Sequence, residues 1–152
     1  MSIVMQRNFA LSETVCPHIY ARWGESSWKF VDERLQATMD VVRNEILCVP
    51  LIVNTYAYGG LFRERGVRCN ICAEIQKYTT KNLTYQSAHL FGKGIDFSST
   101  KMTADEMRAK IIEMQDKLPY KIRLEDKSIA PTWVHLDVLV DPTQKEKVYV
   151  FR

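Results

Sequence analysis

The chain has 152 residues, 46% of them hydrophobic, and a net charge of +3 made from 21 basic and 18 acidic side chains. That length fits one domain with a sizeable buried core and leaves no room for a second of ordinary size. The basic residues are spread along the chain, with no basic stripe and no wholly basic helix, which argues against nucleic acid as a partner.

The opening segment, MSIVMQRNFALSETVCPHIY, lacks the basic start, continuous apolar run and small-residue cleavage site of a secretory leader. No stretch is long enough to span a bilayer, so membrane insertion is not expected and the chain reads as made and folded in the cytoplasm. Ser12 is placed to cap a short helix running through about Arg22. A longer helix is predicted from about Asp32 to Ile46, where Leu35, Met39, Val42 and Ile46 recur at helical spacing.

Residues 50–54, PLIVN, read as a short strand after a proline, followed by a long aromatic and glycine-containing loop, TYAYGGLFRERGVRCN. Loops of that length in small domains are often functional. GKGIDFS, residues 92–98, reads as a strand entered through two glycines. Thr103 and Glu106 have capping-box spacing ahead of the helical run EMRAKIIEMQDKL, with Met107, Ile111 and Met114 on one face. Three strand-like runs follow, KIRLE, WVHLDVLV and KVYVF, separated by turn-prone residues and consistent with an antiparallel meander. Helices first and a sheet afterwards make an α+β domain, with a helical part over 1–49 and a core carrying the functional residues over 50–152.

Of the four cysteines, Cys16, Cys48, Cys69 and Cys72, only the last pair is close in sequence. The Cys69–Cys72 spacing could serve redox pairing or a metal knuckle, but a zinc ribbon needs a second close pair and none exists, so the thiols read first as structural or incidental. His18, just after Cys16 and Pro17, reads as structural or exposed.

The other two histidines sit in more informative surroundings. In Ser87-Ala88-His89-Leu90-Phe91-Gly92-Lys93-Gly94-Ile95-Asp96 the glycines allow a tight turn between a loop histidine and a strand aspartate. Strand alternation turns Asp96 away from Ile95 and Phe97. In Trp133-Val134-His135-Leu136-Asp137-Val138 the aliphatic residues alternate onto one face and leave His135 and Asp137 on the other. Taken singly, His89 fits a surface loop, Asp96 a turn or cap, and His135 a hydrogen-bonded strand residue. Together, two imidazoles and a carboxylate suit Zn²⁺, and three protein ligands leave a position open for water, as catalysis requires.

SAHLFGKGID resembles the SxHxxGxAxD signature of the M15 zinc peptidases, which include D-Ala-D-Ala carboxypeptidases and phage L-alanyl-D-glutamate endopeptidases. TWVHLDV resembles the closing metal-histidine strand of that family, and Gly66-Val67-Arg68 is similar to its SGYRS segment. The likeness covers about residues 50–140. Gly94 stands where the family usually has alanine. The resemblance implies a hedgehog-like zinc-peptidase fold and His89, Asp96 and His135 as ligands of Zn²⁺. It further implies Arg68 as holder of a substrate carboxylate, with Arg65 a weaker substitute, and Ser87 beside the metal. Its implied substrate is a peptidoglycan stem peptide or cross-link, reached at the cell wall on release or carried in a phage particle. Many members place a carboxylate three residues before the last histidine, where this chain has Thr132. Glu125, preferred to Asp126 because Arg123 and Glu125 alternate onto the polar face of their strand, is the candidate general base. Asp137 could orient an imidazole ligand or pair with Arg68 or another base, and Trp133 could wall the cleft or simply pack.

Overall fold

The computed structural model describes residues 8–80 and 82–152. The first seven residues of the segment examined for a leader lie outside this range. Two short helices, α1 (Leu11–Thr14) and α2 (Pro17–Trp23), stand where one was expected. Pro17 explains the break: it disfavours helical backbone at the residue before it, and Cys16 is extended, with φ −67° and ψ 160°. Pro17 then opens α2 at its first position, where a missing N–H costs nothing. Ser12 lies inside α1 instead of capping it, and Glu13 reaches back to accept from the Ala10 N–H at 2.7 Å.

A 3₁₀ segment, Gly24–Phe30, leads to α3 (Glu33–Val41), which Asp32 caps by accepting from the Arg34 N–H. The chain stays helical to Leu47 but widens into a π-helix over Val42–Leu47, ending where Cys48 turns left-handed at φ 55°. Leu35, Met39, Val42 and Ile46 form the expected buried stripe.

The expected strand over 50–54 is a correction: only Ile52 pairs, in an isolated bridge to Ser98 with hydrogen bonds of 2.8 and 3.0 Å. The run leaves the sheet at Asn54, whose side chain donates to the Val15 carbonyl and accepts from the Arg65 N–H. The long loop holds a 3₁₀ turn, Tyr56–Tyr58, and a bridge between Val67 and Val15 before α4 (Ala73–Tyr78), which the sequence reading did not assign.

Four strands make one sheet: β1 (Gly94–Phe97), β2 (Ile122–Glu125), β3 (Val134–Asp137) and β4 (Val148–Phe151), in the order β1-β3-β2-β4. The molecule is therefore α+β, but the sheet is mixed and not an antiparallel meander. β3 pairs antiparallel with β1 and β2, which uses both its edges. β4 takes the free edge of β2, and the chain reaches it by crossing the start of that strand, so the two run parallel. Between β1 and β2 lies α5 (Ala104–Glu113), opened by the expected capping box of Thr103 and Glu106.

One face of the sheet carries Ile95, Phe97, Ile122, Leu124, Val134 and Leu136, packed into the main core with α3, the π-helix and α5. The other presents Asp96, Arg123, Glu125, His135 and Asp137 to a cleft. Arg108 on α5 braces the β2–β3 connection, donating to the carbonyls of Glu125, Ala130 and Trp133. No helix among the described residues is long and apolar enough to cross a membrane.

Candidate metal centre

Asp96 and His135 are direct cross-strand partners on β1 and β3. His89 arrives from the loop before β1, whose turn depends on two glycines. Gly92 has φ +70°, and a Cβ there would strike the Phe30 carbonyl; at Gly94 a Cβ would crowd Ala88. The result brings the metal-ligating atoms of His89, Asp96 and His135 within 4.8 Å of one another, with all three residues buried. They sit at the floor of a cleft of about 320 Å³.

Hydrogen bonds orient both rings. His89 Nδ1 lies 2.8 Å from the Gly66 carbonyl, an acceptor only, so that nitrogen carries the proton and Nε2 is left facing Asp96 Oδ1 at 3.3 Å. His135 Nε2 lies 2.8 Å from Asp137 Oδ2, while Nδ1 faces Asp96 Oδ1 at 2.8 Å. Asp137, fully buried, is held in a fork by Arg123 at 2.8 and 2.9 Å. Of the partners its sequence position allows, a histidine, Arg68 or another base, it contacts His135 and Arg123. Strand alternation alone puts Arg123 on the polar face of β2 and does not reveal this pairing.

Burial opposes the charge of Asp96, yet His89 and His135 outweigh it and hold the carboxyl well below the usual range. For His135, burial opposes the imidazolium, but hydrogen bonds to Asp137 and Asp96 prevail and raise it to about 9. Asp137 is kept low by His135 and Arg123 against its own burial. His135 thus carries a proton toward each of two carboxylates, and the one on Nδ1 lies where a cation would replace it.

The donor set fits Zn²⁺. Nitrogen and oxygen ligands at ordinary zinc distances stand about 3.3–3.5 Å apart in a tetrahedron. The His89–Asp96 spacing already matches; the shorter His135–Asp96 contact has hydrogen-bond length and would open by about half an ångström. Each histidine gives its second nitrogen to an oxygen acceptor, the usual support for an imidazole ligand. Asp137, engaged by Arg123 and the far side of His135, is not in the ligand group.

The remaining candidates fall as follows. Arg68 lines the cleft, donates through Nε to the Glu64 carbonyl at 2.6 Å and lies 3.4 Å from Asp96 Oδ2. Arg65 turns away to the Ile52 carbonyl and Ser98 Oγ. Ser87 lines the cleft and accepts from the His89 N–H at 3.2 Å. Glu125 and Trp133 line it as well, and the Glu125 carboxylate makes no hydrogen bond or ion pair among the described residues. Thr132 borders a separate groove. Phe151 on β4, to which no role was given, sets its ring against His135 and under Arg123.

A second group of residues able to hold a metal ion consists of Cys16, His18, Cys69 and Cys72. The place of a second cysteine pair is taken by Cys16-Pro17-His18, a sulfur and an imidazole two residues apart, a spacing less diagnostic in sequence than a second CxxC. No family model matches the chain, and neither the curated proteins nor the solved structures yield a match.

Proposed function

We propose that the chain is a zinc-dependent peptidase of the M15 kind, hydrolysing an amide bond in a peptidoglycan stem peptide or cross-link. The observation that carries this reading is the open, three-ligand group of His89, Asp96 and His135 at the floor of a cleft that also holds the carboxylate of Glu125, which has no partner among the described residues. Zn²⁺ in such a site supplies Lewis-acid chemistry, polarising an amide carbonyl and making water acidic enough to react near neutral pH.

The chain's own residues account for the rest. Glu125 accepts the proton of the attacking water and returns it to the leaving amine, the task given elsewhere in the family to the carboxylate that Thr132 replaces. The β2–β3 register pairs Arg123 with Asp137 and Leu124 with Leu136, so Glu125 continues toward His135. Arg68, half occupied by Glu64 and Asp96, offers its remaining guanidinium N–H groups to a substrate carboxylate. Ser87 and Trp133 shape the wall. The rival reading, a weakly catalytic or structural zinc-binding component of a phage particle, draws on Thr132 at the family's carboxylate position.

The deciding experiment is digestion of purified cell walls of several peptide chemotypes by the zinc-loaded chain, with mass analysis of what is released. Discrete stem-peptide fragments, lost in His89→Ala, are expected. A fully zinc-loaded chain that releases nothing from any chemotype would turn the reading toward the structural alternative.

A further inference from the structure

Away from the cleft, three of the four cysteines and the remaining histidine meet at one point. Cys16 ends the extended link between α1 and α2, His18 lies in the first turn of α2, and Cys69 and Cys72 lie just before α4. Cys69 Sγ is 3.4 Å and Cys72 Sγ 3.6 Å from His18 Nδ1, and the two sulfurs are 3.8 Å apart. All four ligand atoms, Cys16 Sγ included, lie within 4.8 Å of one another.

These distances discriminate between chemistries. A disulfide needs sulfurs about 2.05 Å apart. Sulfurs bound at about 2.3 Å and a nitrogen at about 2.0 Å on a tetrahedral zinc stand about 3.8 Å and 3.6 Å from each other. The three edges among His18, Cys69 and Cys72 match the second pattern, and Cys16 Sγ lies within 4.8 Å of each of those atoms. Cys16 and Cys72 are fully buried, so water does not complete the shell from their side. Three sulfurs and one nitrogen make a closed tetrahedron, as structural zinc sites have and catalytic ones do not.

We propose that Cys16, His18, Cys69 and Cys72 bind a second zinc ion, structural in role, which joins the N-terminal helices to the loop that supports the cleft. The apolar packing at this place is slight: Cys16, Cys72 and Ile75 form a satellite cluster apart from the main core, with Ile19, Cys69, Tyr85 and Leu90 against it. So small a cluster contributes little apolar burial, and a bound metal would add its own binding free energy to the fold there. The two segments joined are more than fifty residues apart in the chain. One contains Gly66 and Arg68, which contact His89 and Asp96, and the cluster ends on Leu90, next to His89. The site therefore anchors the cleft without lining it, and it stands whether or not the chain cleaves peptidoglycan.

The test uses the full chain, purified without chelator and loaded with zinc alone or cobalt alone. Wild type should hold two equivalents of metal, Cys69→Ser one and His89→Ala one. Cobalt-loaded His89→Ala should show the intense sulfur-to-cobalt charge-transfer absorption of a thiolate site, and Cys69→Ser should lack it. Should Cys69→Ser fail to fold, thiol counting on folded wild type decides: with zinc bound only Cys48, which is exposed, should react, and after chelation the half-buried Cys69 should react as well, Cys16 and Cys72 staying shielded by their burial. Cobalt-loaded wild type without the charge-transfer band, equal reactivity of Cys69 with and without zinc, or a Cys69–Cys72 disulfide in the intact mass would each overturn the proposal.

Discussion

Asp137 stands two residues beyond His135 on the same face of β3, and its Oδ2 lies 2.8 Å from His135 Nε2. Arg123, on the neighbouring strand, grips both of its oxygens. The chain Arg123–Asp137–His135–Asp96 thus runs from the cleft wall to the candidate metal position, each member fixing the direction of the next.

Replacing Asp137 with Asn keeps the shape and removes the charge. Zinc affinity of the cleft site should fall about 10- to 100-fold, the usual effect of losing an imidazole ligand's hydrogen-bond partner. Asp137→Ala should also destabilise the fold by about 2 kcal/mol. That is less than the loss of a wholly buried pair, because the Arg123 side chain is 24% exposed and can regain water. Chelator competition and urea denaturation measure the two effects separately; unchanged zinc affinity in Asp137→Asn would detach Asp137 from the metal centre.

In the proposed reaction, proton transfer rests on Glu125. Glu125→Gln should lower kcat by about 10²- to 10⁴-fold while zinc content and melting temperature stay at the wild-type level, since its carboxylate makes no hydrogen bond or ion pair among the described residues. Rescue by Glu125→Asp should be partial, because the shorter side chain cannot hold its carboxylate at the same place in the cleft. Activity equal to wild type in Glu125→Gln would remove it from proton transfer.

Gly92 offers a test of how the His89 loop is held. Its φ of +70° disfavours any side chain, and a Cβ there would strike the Phe30 carbonyl. Its own carbonyl accepts from the Asp32 N–H at 2.9 Å, linking the loop to the start of α3. Gly92→Ala should therefore cost about 1–3 kcal/mol and weaken cleft zinc binding in the same variant. A denaturation midpoint indistinguishable from wild type would show that the turn relaxes without moving His89.

The parts of the fold that could be read from the sequence are those fixed by short-range rules. Alternation along residues 94–97 and 134–137 put Asp96 and His135 on the polar side and Phe97, Val134 and Leu136 in the core, as found. The Thr103–Glu106 spacing located the start of α5 because a capping box satisfies its own backbone donors within four residues. What escaped depends on distant parts of the chain. PLIVN has strand composition, but Asn54 is pulled to Val15 and Arg65, so only Ile52 pairs. The direction of β4 follows from β3 having no free edge, which nothing in KVYVF encodes. Cys16-Pro17-His18 gains meaning only when α2 meets the Cys69 loop.

The cap of α3 yields a prediction whose sign follows from charge. Asp32 Oδ1 accepts from the Arg34 N–H at 2.8 Å and from Arg34 Nε at 3.1 Å, and Oδ2 accepts from Nη2 at 2.9 Å. The Arg34 hydrogen bond, opposed by partial burial, is the chief cause that lowers the Asp32 carboxyl below its ordinary value of 3.8. A carboxyl whose folded value is depressed stabilises the fold above the unfolded value, and that contribution fades as pH falls through the folded one. Asp32→Asn retains a capping oxygen but loses the ion pair, so it should be less stable than wild type at neutral pH. The gap should stay below about 1 kcal/mol, since the Arg34 side chain is 42% exposed. Below pH 3.8 it should narrow toward zero. Denaturation curves of both chains across this range measure it. A gap that widens on acidification would assign the shift to a group other than Asp32.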